Sequence, residues 1–159
     1  MDNREAVYAV SRMQEYIDGH INEMITLRQL ADAAGYSPWH SARIFKELTG
    51  KTPFDYIRML RLSKAALRLR DGRPKVIDVA LDFVFNTPEG FTRAFSREFG
   101  ISPRKYSAET PPIQLFIPSK ILDYHRFLWE RERKMSEKKE KKTVFVQVVE
   151  RPARKLLLK

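Results

Sequence analysis

Two arginines, Arg43 and Arg93, stand fifty positions apart at the same place in a repeated pattern. Each follows a Ser/Thr-Pro pair and is followed by Phe two residues later and by Gly seven residues later. A guanidinium group forms two parallel hydrogen bonds with O6 and N7 of guanine. The alternative is that the arginine pairs with a carboxylate on its own helix and only solvates a face. The two arginines therefore predict contact with nucleic acid, with a solvated helix face as the competing interpretation.

The repeat that contains these arginines spans 37–56 and 87–106 without a gap. Each copy has a hydroxyl suited to an N-cap, Pro at the first helical position, a Phe for the core and a Gly C-cap. A shorter apolar helical pattern precedes each copy, at 27–36 and at 76–85. A helix, a tight turn and a capped second helix form the helix-turn-helix arrangement. The sequence therefore predicts two such units.

The first two turns of a recognition helix face the major groove of DNA. The exposed candidates in the first copy are Trp39, His40, Ala42, Arg43 and Lys46. Those in the second copy are Glu89, Gly90, Thr92, Arg93 and Arg97. Trp39 is equally compatible with packing, and Glu89 either accepts a hydrogen bond from cytosine N4 or repels phosphates. The predicted phosphate contacts, made by helix N-termini and flanking side chains, are Thr26, Ser37, Lys46, Thr87, Thr92 and Arg97.

The net charge of +10 favours polyanionic partners, but most of the excess lies outside the repeat. Residues 1–110 carry 17 Lys and Arg against 14 Asp and Glu, whereas residues 111–159 carry 13 against 6. The chain has no cysteine, and it has no apolar run of the roughly 20 residues that a membrane helix needs. The composition predicts a soluble cytoplasmic protein without disulfides, metal or cofactor.

The predicted fold is mainly α, with about seven helices that form two helix-turn-helix subdomains joined by a long helix, followed by a linker and a short β-rich tail. The DNA-binding domain is expected at 1–108, with helix-turn-helix units at about 26–50 and 75–100 and a joining helix at about 53–70. A proline-containing and charged linker is expected at 109–142, and strands are expected at 143–159. No sequence remains to cover those strands, so we expect a fragment of a longer protein or pairing with another copy.

The segment Gly90–Tyr106, GFTRAFSREFGISPRKY, resembles the second helix-turn-helix of the AraC/XylS family of bacterial transcription regulators. Gly35–Pro53, GYSPWHSARIFKELTGKTP, is similar to the first, and the resemblance covers about residues 5–108. The tail resembles the entry into a GyrI-like effector-binding domain. The resemblance implies double-stranded DNA as partner, with RNA polymerase and a small-molecule effector as further partners, the effector through a domain missing from this chain.

The resemblance also implies which residues face the bases. They are Trp39, Ala42 and Arg43 in the first copy and Glu89, Gly90 and Arg93 in the second. The joining helix is expected to hold the two recognition helices about one DNA turn, ~34 Å, apart. Val84 stands where the family has Gly at a turn that requires positive φ. The extra residue Asn86 is expected to relieve this conflict, because Asn tolerates the left-handed conformation.

Three alternative functions remain at the level of the sequence. An enzyme is disfavoured, because His20, His40 and His125 are scattered and no phosphate-binding Gly loop is present. A sequence-independent nucleic-acid binder would depend on the basic tail at 126–142. An amphipathic helix at 121–129 is compatible with a membrane surface, although a linker helix packed on a neighbouring domain explains it as well. The oligomeric state stays open.

Overall fold

The computed structural model describes residues 3–140, and this part of the chain contains eight helices and no strand. They are α1 Asn3–Gly19, α2 Leu27–Ala34, α3 Pro38–Thr49, α4 Pro53–Gly72, α5 Val76–Asp82, α6 Pro88–Phe99, α7 Pro103–Glu109 and α8 Ile121–Glu140. The prediction of a mainly α fold with a long joining helix is confirmed. The predicted β-rich tail and effector-domain entry, 143–159, lie outside the described residues.

The eighth helix differs from the prediction of about seven helices, because it occupies most of the stretch predicted to be a charged linker. Its sequence is dominated by Glu, Lys and Arg, which are good helix formers. Arg133 also pairs with Glu137 one turn later, at 3.8 Å. Charge alone therefore did not distinguish a solvated helix from a linker. None of the helices within residues 3–140 is long and apolar enough to cross a membrane.

The first helix-turn-helix consists of α2 and α3, which pack against α1. Thr26 and Gln29 form a capping box at the start of α2, as the sequence predicts. Gly35 ends α2 in the left-handed conformation, with φ of 77°, and the N–H of Tyr36 donates to the carbonyl of Ala31. This Schellman motif turns the chain into α3 within three residues.

The joining helix α4 starts at the Thr52 N-cap, whose hydroxyl accepts a hydrogen bond from the Asp55 N–H. Near this end the ring of Tyr56 contacts Phe45 of α3 edge-on, with centroids 5.2 Å apart. The other end of α4 contributes buried residues to the core of the second unit. These residues are Leu62, Ala65, Ala66 and Leu69. One helix therefore anchors in both cores.

The second helix-turn-helix consists of α5 and α6, with α7 packed against α4 and α6. Its core is rich in aromatic rings, and Phe95 contacts Phe91, Phe99 and Tyr106. The centroids of these pairs lie between 4.7 and 5.7 Å apart, within the range of favourable ring contacts. The prediction that Phe91 and Phe95 belong to the core is confirmed, since both are fully buried.

The turn of the second unit differs from the expected one. Val84 takes φ of 61°, and Asn86 has no positive φ, so the expected relief by Asn86 was wrong. The N–H of Phe85 donates to the Ala80 carbonyl and that of Val84 to the Leu81 carbonyl, as in a Schellman motif. The motif requires the left-handed conformation one residue after the C-cap Phe83, and that residue is Val84. The extra residue Asn86 lengthens the turn, but the residue that must adopt the left-handed conformation is still Val84.

The connection from α7 to α8 is a segment without regular structure, residues 111–120, which we call the strap. The strap lies against both helix-turn-helix units and belongs to the compact unit that ends at His125. The described residues after His125 belong to a second unit and form the remainder of α8. Most side chains from Arg126 to Lys138 are exposed.

Candidate nucleic-acid interface

The start of α3 exposes three side chains spaced one turn apart: Trp39, Arg43 and Glu47. The Ser37 hydroxyl caps the helix by accepting from the His40 N–H at 3.4 Å. Trp39 is 72% exposed, and the Arg43 guanidinium carbon lies 5.3 Å from the centroid of its ring. On the other side, Arg43 Nε lies 3.7 Å from Glu47 Oε1. Arg43 is therefore held between an aromatic ring and a carboxylate.

Both contacts of Arg43 are weak enough to be exchanged for a ligand. The side chains of Arg43 and Glu47 are 51% and 61% exposed, and an exposed pair of this kind contributes about 0.3–0.5 kcal/mol. A bidentate pair with guanine is worth roughly 1–3 kcal/mol of discrimination. The ion pair predicted as the alternative role of Arg43 is present, yet it is compatible with recognition. The Trp39 ring also orients the guanidinium before any ligand arrives.

The start of α6 repeats this spacing with Glu89, Arg93 and Arg97, all exposed. Within the part of the chain that the structure describes, Arg93 has no ion pair or hydrogen bond. Glu47 of the first helix is thus matched by Arg97, and Trp39 by Glu89. The face of α3 balances one cation with one carboxylate, whereas that of α6 carries two cations and one carboxylate.

Gly90 serves the cap of α6. Its N–H donates to the Thr87 hydroxyl at 3.0 Å, and a Cβ on Gly90 would lie 2.9 Å from that oxygen. Such a contact is closer than real Cβ atoms show, so a larger residue would have to displace the capping hydroxyl. The matching hydrogen bond of the first copy, from His40 to Ser37, is longer at 3.4 Å. The absence of a side chain at Gly90 therefore allows the shorter capping hydrogen bond at the start of α6.

The remaining predicted reading positions are less exposed. Ala42 and Thr92 are half-buried. His40, an exposed candidate from sequence, is also half-buried, and its ring packs edge-on against Tyr36 with centroids 4.9 Å apart. This contact turns His40 toward the turn between α2 and α3. The expected exposure was therefore wrong for His40 and Ala42 of the first copy and for Gly90 and Thr92 of the second.

The predicted phosphate positions separate into two chemical groups. The hydroxyls of Thr26, Ser37 and Thr87 already accept hydrogen bonds from their own helices. An anion at these termini would therefore meet the free backbone N–H groups and the positive end of the helix dipole. Lys46 and Arg97 are exposed, and neither has an ion pair within the described residues.

Two residues that hold the recognition helices in place carry no local sequence signal. Arg12 of α1 donates from Nε to the Ala33 carbonyl at 2.9 Å and from Nη2 to the Ala34 carbonyl at 2.6 Å. Asn22 donates from Nδ2 to the carbonyl of Asp82 at 2.7 Å. Each bond satisfies carbonyls at the end of the helix that precedes a recognition helix. Arg12 and Ala33 are 21 residues apart in sequence, and Asn22 and Asp82 are 60 apart, so no local sequence pattern predicts these hydrogen bonds.

Comparison with known proteins agrees with this geometry. Residues 30–109 match a protein family described as a helix-turn-helix domain. Regulatory protein SoxS of Salmonella typhimurium is 35% identical over 97 residues, which cover 61% of this chain and 91% of SoxS. The chain belongs to the AraC family of helix-turn-helix regulators. The family resemblance seen in the two repeated segments is thereby confirmed.

Other members of the AraC family are considerably longer than the matched region. Transcriptional regulator Rob of Salmonella typhimurium is 37% identical over 108 residues, or 63% of this chain, and the match spans only 37% of Rob. Among solved structures, the DNA-binding domain of AdpA, determined in complex with a target DNA, is 27% identical with a TM-score of 0.60. That likeness covers 63% of this chain and 90% of the AdpA domain.

Proposed function

We propose that this chain binds double-stranded DNA sequence-specifically as a transcription regulator, with α3 and α6 in successive major grooves. The observation that carries the proposal is the pair of arginines at one register position, each exposed near the capped start of its helix. The AdpA domain, similar in fold and solved on its target DNA, supports DNA as the partner. One DNA turn between the helices corresponds to a site of roughly 20 base pairs.

The proposed base contacts follow from the side chains on each helix. Arg43 and Arg93 each pair with guanine, and Trp39 lies on a sugar or a thymine methyl group. Ala42 offers at most an apolar contact, Glu89 accepts from cytosine, and Gly90 allows close approach. Lys46, Arg97, Thr92 and the helix starts at Thr26, Ser37 and Thr87 bind phosphates, which sets affinity without reading sequence. DNA shape contributes the rest of the specificity.

The wider role follows from the family. We infer that the chain acts on transcription in the cytoplasm together with RNA polymerase, without catalysing a reaction. A small-molecule effector is a further proposed partner, and it binds a domain other than the DNA-binding domain. The family membership and the regulator names of SoxS and Rob support this role.

The test is selection of bound sequences from random duplexes at ~0.15 M salt, where non-specific binding is already much weakened. Wild type is compared with Arg43→Ala, Arg93→Ala and the matched control Lys46→Ala. The expected result is a bipartite motif in which each arginine variant relaxes one half. Lys46→Ala should lower affinity while preserving the motif, since a phosphate contact reads no base.

The outcome that would refute sequence-specific recognition is the absence of any enriched motif. The basic segment after Arg126 supports the competing function, non-specific binding of nucleic acid, because its cations are exposed. Replacing Arg131, Arg133 and Lys134 by Gln separates the two functions. Loss of all binding in that variant, with Arg43→Ala unaffected, would favour the non-specific function.

A further inference from the structure

We propose that the strap sets the relative orientation of the two recognition helices, with Gln14 and Ser63 as its positioning residues. The inference rests on the proposed function, since it concerns how two recognition helices are held for one DNA site. The strap is far from both predicted reading surfaces in sequence, and it contacts the two units at different points along its length.

The first half of the strap is fixed to the second helix-turn-helix and to the middle of α4. Ile113 and Leu115 pack against the buried cluster that contains Phe91 and Phe95. The N–H of Phe116 then donates to the hydroxyl of Ser63 at 2.8 Å. Ser63 is 4% exposed, so this hydrogen bond is shielded from water. The strap therefore meets α4 at a defined residue.

The second half of the strap is fixed to the first helix-turn-helix. The Phe116 ring meets Tyr56 edge-on, with centroids 5.2 Å apart, and the Lys51 ammonium lies 5.8 Å from the centre of the same ring. One residue of the strap thus touches both the buried hydroxyl of α4 and the aromatic pair that joins α3 to α4. Phe116 is therefore the residue at which the contacts of the strap change from the second unit to the first.

Gln14 is the polar anchor on α1. It is 6% exposed, on a helix face that otherwise buries aliphatic residues such as Val10, Met13 and Ile17. Its amide nitrogen donates to the Tyr56 hydroxyl at 3.1 Å and to the Ser119 carbonyl at 2.9 Å, and its amide oxygen accepts from the Ile121 N–H at 3.0 Å. A buried amide is tolerated only when its groups are paired, and two of these three partners belong to the strap and its exit.

The hydrogen bonds of Gln14 and Ser63 matter because the strap packs incompletely against the first unit. A cavity of about 320 Å³ remains between the strap and the first unit, lined by Leu48, Tyr56, Phe116 and Ile121 among others. The side chains that line it therefore lack packing partners on that side. Directional hydrogen bonds at Gln14 and Ser63 define where the strap lies, since they fix both distance and angle.

The mechanical argument follows from how the units are connected. Helix α4 is the covalent connection between the two units, and long helices are rarely straight, so a helix alone defines the relative orientation loosely. The direct hydrogen bond between Asn22 and Asp82 restricts this freedom at an exposed position. The strap adds contacts between the second unit and α1, so the two units are connected through α7 and the strap as well as through α4. Two separate connections between the units resist the hinge motion that a single connection allows.

The orientation can be measured without DNA. The chain has no cysteine, so Asp32→Cys on α2 and Asp78→Cys on α5 provide two exposed sites for spin labels. The distribution of distances between the labels is compared in the full chain for three backgrounds: wild type, Gln14→Leu with Ser63→Ala, and the control Ser11→Ala. Ser11 is a buried serine of α1 that bonds within its own helix. We expect a broader distribution only in the double variant.

The consequence for DNA is tested with sites in which the two half-sites are moved apart by one base pair, a rotation of about 35°. Wild type should lose roughly tenfold in affinity, whereas the double variant should lose less than about threefold, because a looser pair of helices adapts to the new spacing. Affinity for either half-site alone should be equal in the two proteins. This equality distinguishes a positioning role from general destabilisation.

Equal distance distributions in wild type and double variant, with helical circular dichroism intact, would overturn the inference. An equal spacing penalty in the two proteins would also overturn it. If Gln14→Leu does not fold, Ser63→Ala carries the same test alone, since it keeps the apolar packing. A broadened distribution in a protein whose wild type binds no DNA would support the strap's role while refuting the proposed function.

Discussion

The two helix-turn-helix units have the same pattern, yet they are stabilised by different means. The first has a capping box at Thr26 and a glycine at the left-handed turn. The second has Lys75 at the N-cap of α5 without a side-chain hydrogen bond, and a valine at the left-handed turn. The second unit also buries more aromatic side chains than the first. The comparison shows that local caps and core packing substitute for each other in building the same arrangement.

The largest expected difference concerns the two equivalent core phenylalanines, Phe45 and Phe95. Removing a buried Phe side chain costs about 3–5 kcal/mol. Phe95 contacts three aromatic rings and Phe45 contacts one, Tyr56, and each ring pair adds about 0.5–1.5 kcal/mol. The two additional ring pairs of Phe95 mean that Phe95→Ala should lower the free energy of unfolding by roughly 1–3 kcal/mol more than Phe45→Ala. Urea denaturation of both variants provides the measurement, and equal losses would contradict the role given to the aromatic cluster.

An exchange at the two turns should change stability in opposite directions. Val84→Gly should raise the free energy of unfolding by about 1 kcal/mol, because it removes a β-branched residue from the left-handed region. Gly35→Val should lower it by roughly 2 kcal/mol for the same reason. Space at Gly35 is sufficient, since the nearest atom to a Cβ there is Arg12 Nη2 at 3.8 Å.

Thermal unfolding of the two turn variants is the measurement, with Gly50→Ala as a second test of a left-handed glycine. A loss of stability in Val84→Gly would show that the contacts of the half-buried Val84 side chain outweigh its backbone strain.

Trp39 and Glu89, which follow the first proline of each recognition helix, should have opposite effects on affinity for non-specific DNA. Trp39→Ala should weaken binding by about 1 kcal/mol, since the ring both contacts DNA and orients Arg43. Glu89→Ala should tighten binding to random DNA by roughly 0.5 kcal/mol, because it removes a carboxylate beside phosphates. Fluorescence anisotropy against the selected site and a scrambled site measures both. Unchanged affinity for both sites in both variants would mean that neither side chain faces DNA.

The smallest expected effect concerns the equivalent tyrosines. Tyr56→Phe should cost about 1 kcal/mol, since the hydroxyl accepts a hydrogen bond from Gln14. Tyr106→Phe should cost almost nothing, because the Tyr106 hydroxyl has no hydrogen bond within the described residues. Denaturation curves of the two variants at neutral pH make the comparison, and equal losses would contradict it.

Tyr56 also predicts a dependence on pH. Burial raises the pKa of Tyr56 to about 12, above its usual value near 10, so the folded protein disfavours the phenolate. The stabilising contribution is complete below pH 10 and is lost as pH rises through 12. Wild type should therefore lose more stability than Tyr56→Phe between pH 10 and 12, whereas an identical decline in both would contradict the burial of an un-ionised Tyr56.

Much of the fold and part of the site were readable from short-range patterns. The capping box at Thr26, the Ser/Thr-Pro starts and the glycine stops each depend on residues within one helical turn, so the sequence predicts them directly. The fifty-residue repeat also predicted that Arg43 and Arg93 occupy equivalent positions on the two recognition helices. Their DNA contacts, and those of the other predicted reading residues, stay predictions, because they depend on a ligand rather than on the fold.

The sequence by itself determined the boundaries of the capped helices α2, α3, α4 and α6, the repeat and the family, because caps and hydrophobic periodicity act between neighbours in the chain. Only the tertiary structure decided the left-handed conformation at Val84 rather than Asn86, the half-burial of His40, and the partners of Gln14. The Gln14 oxygen meets the Ile121 N–H across 107 residues, a contact that exists only after the helices have packed. A buried polar group takes its role from the partners that packing provides.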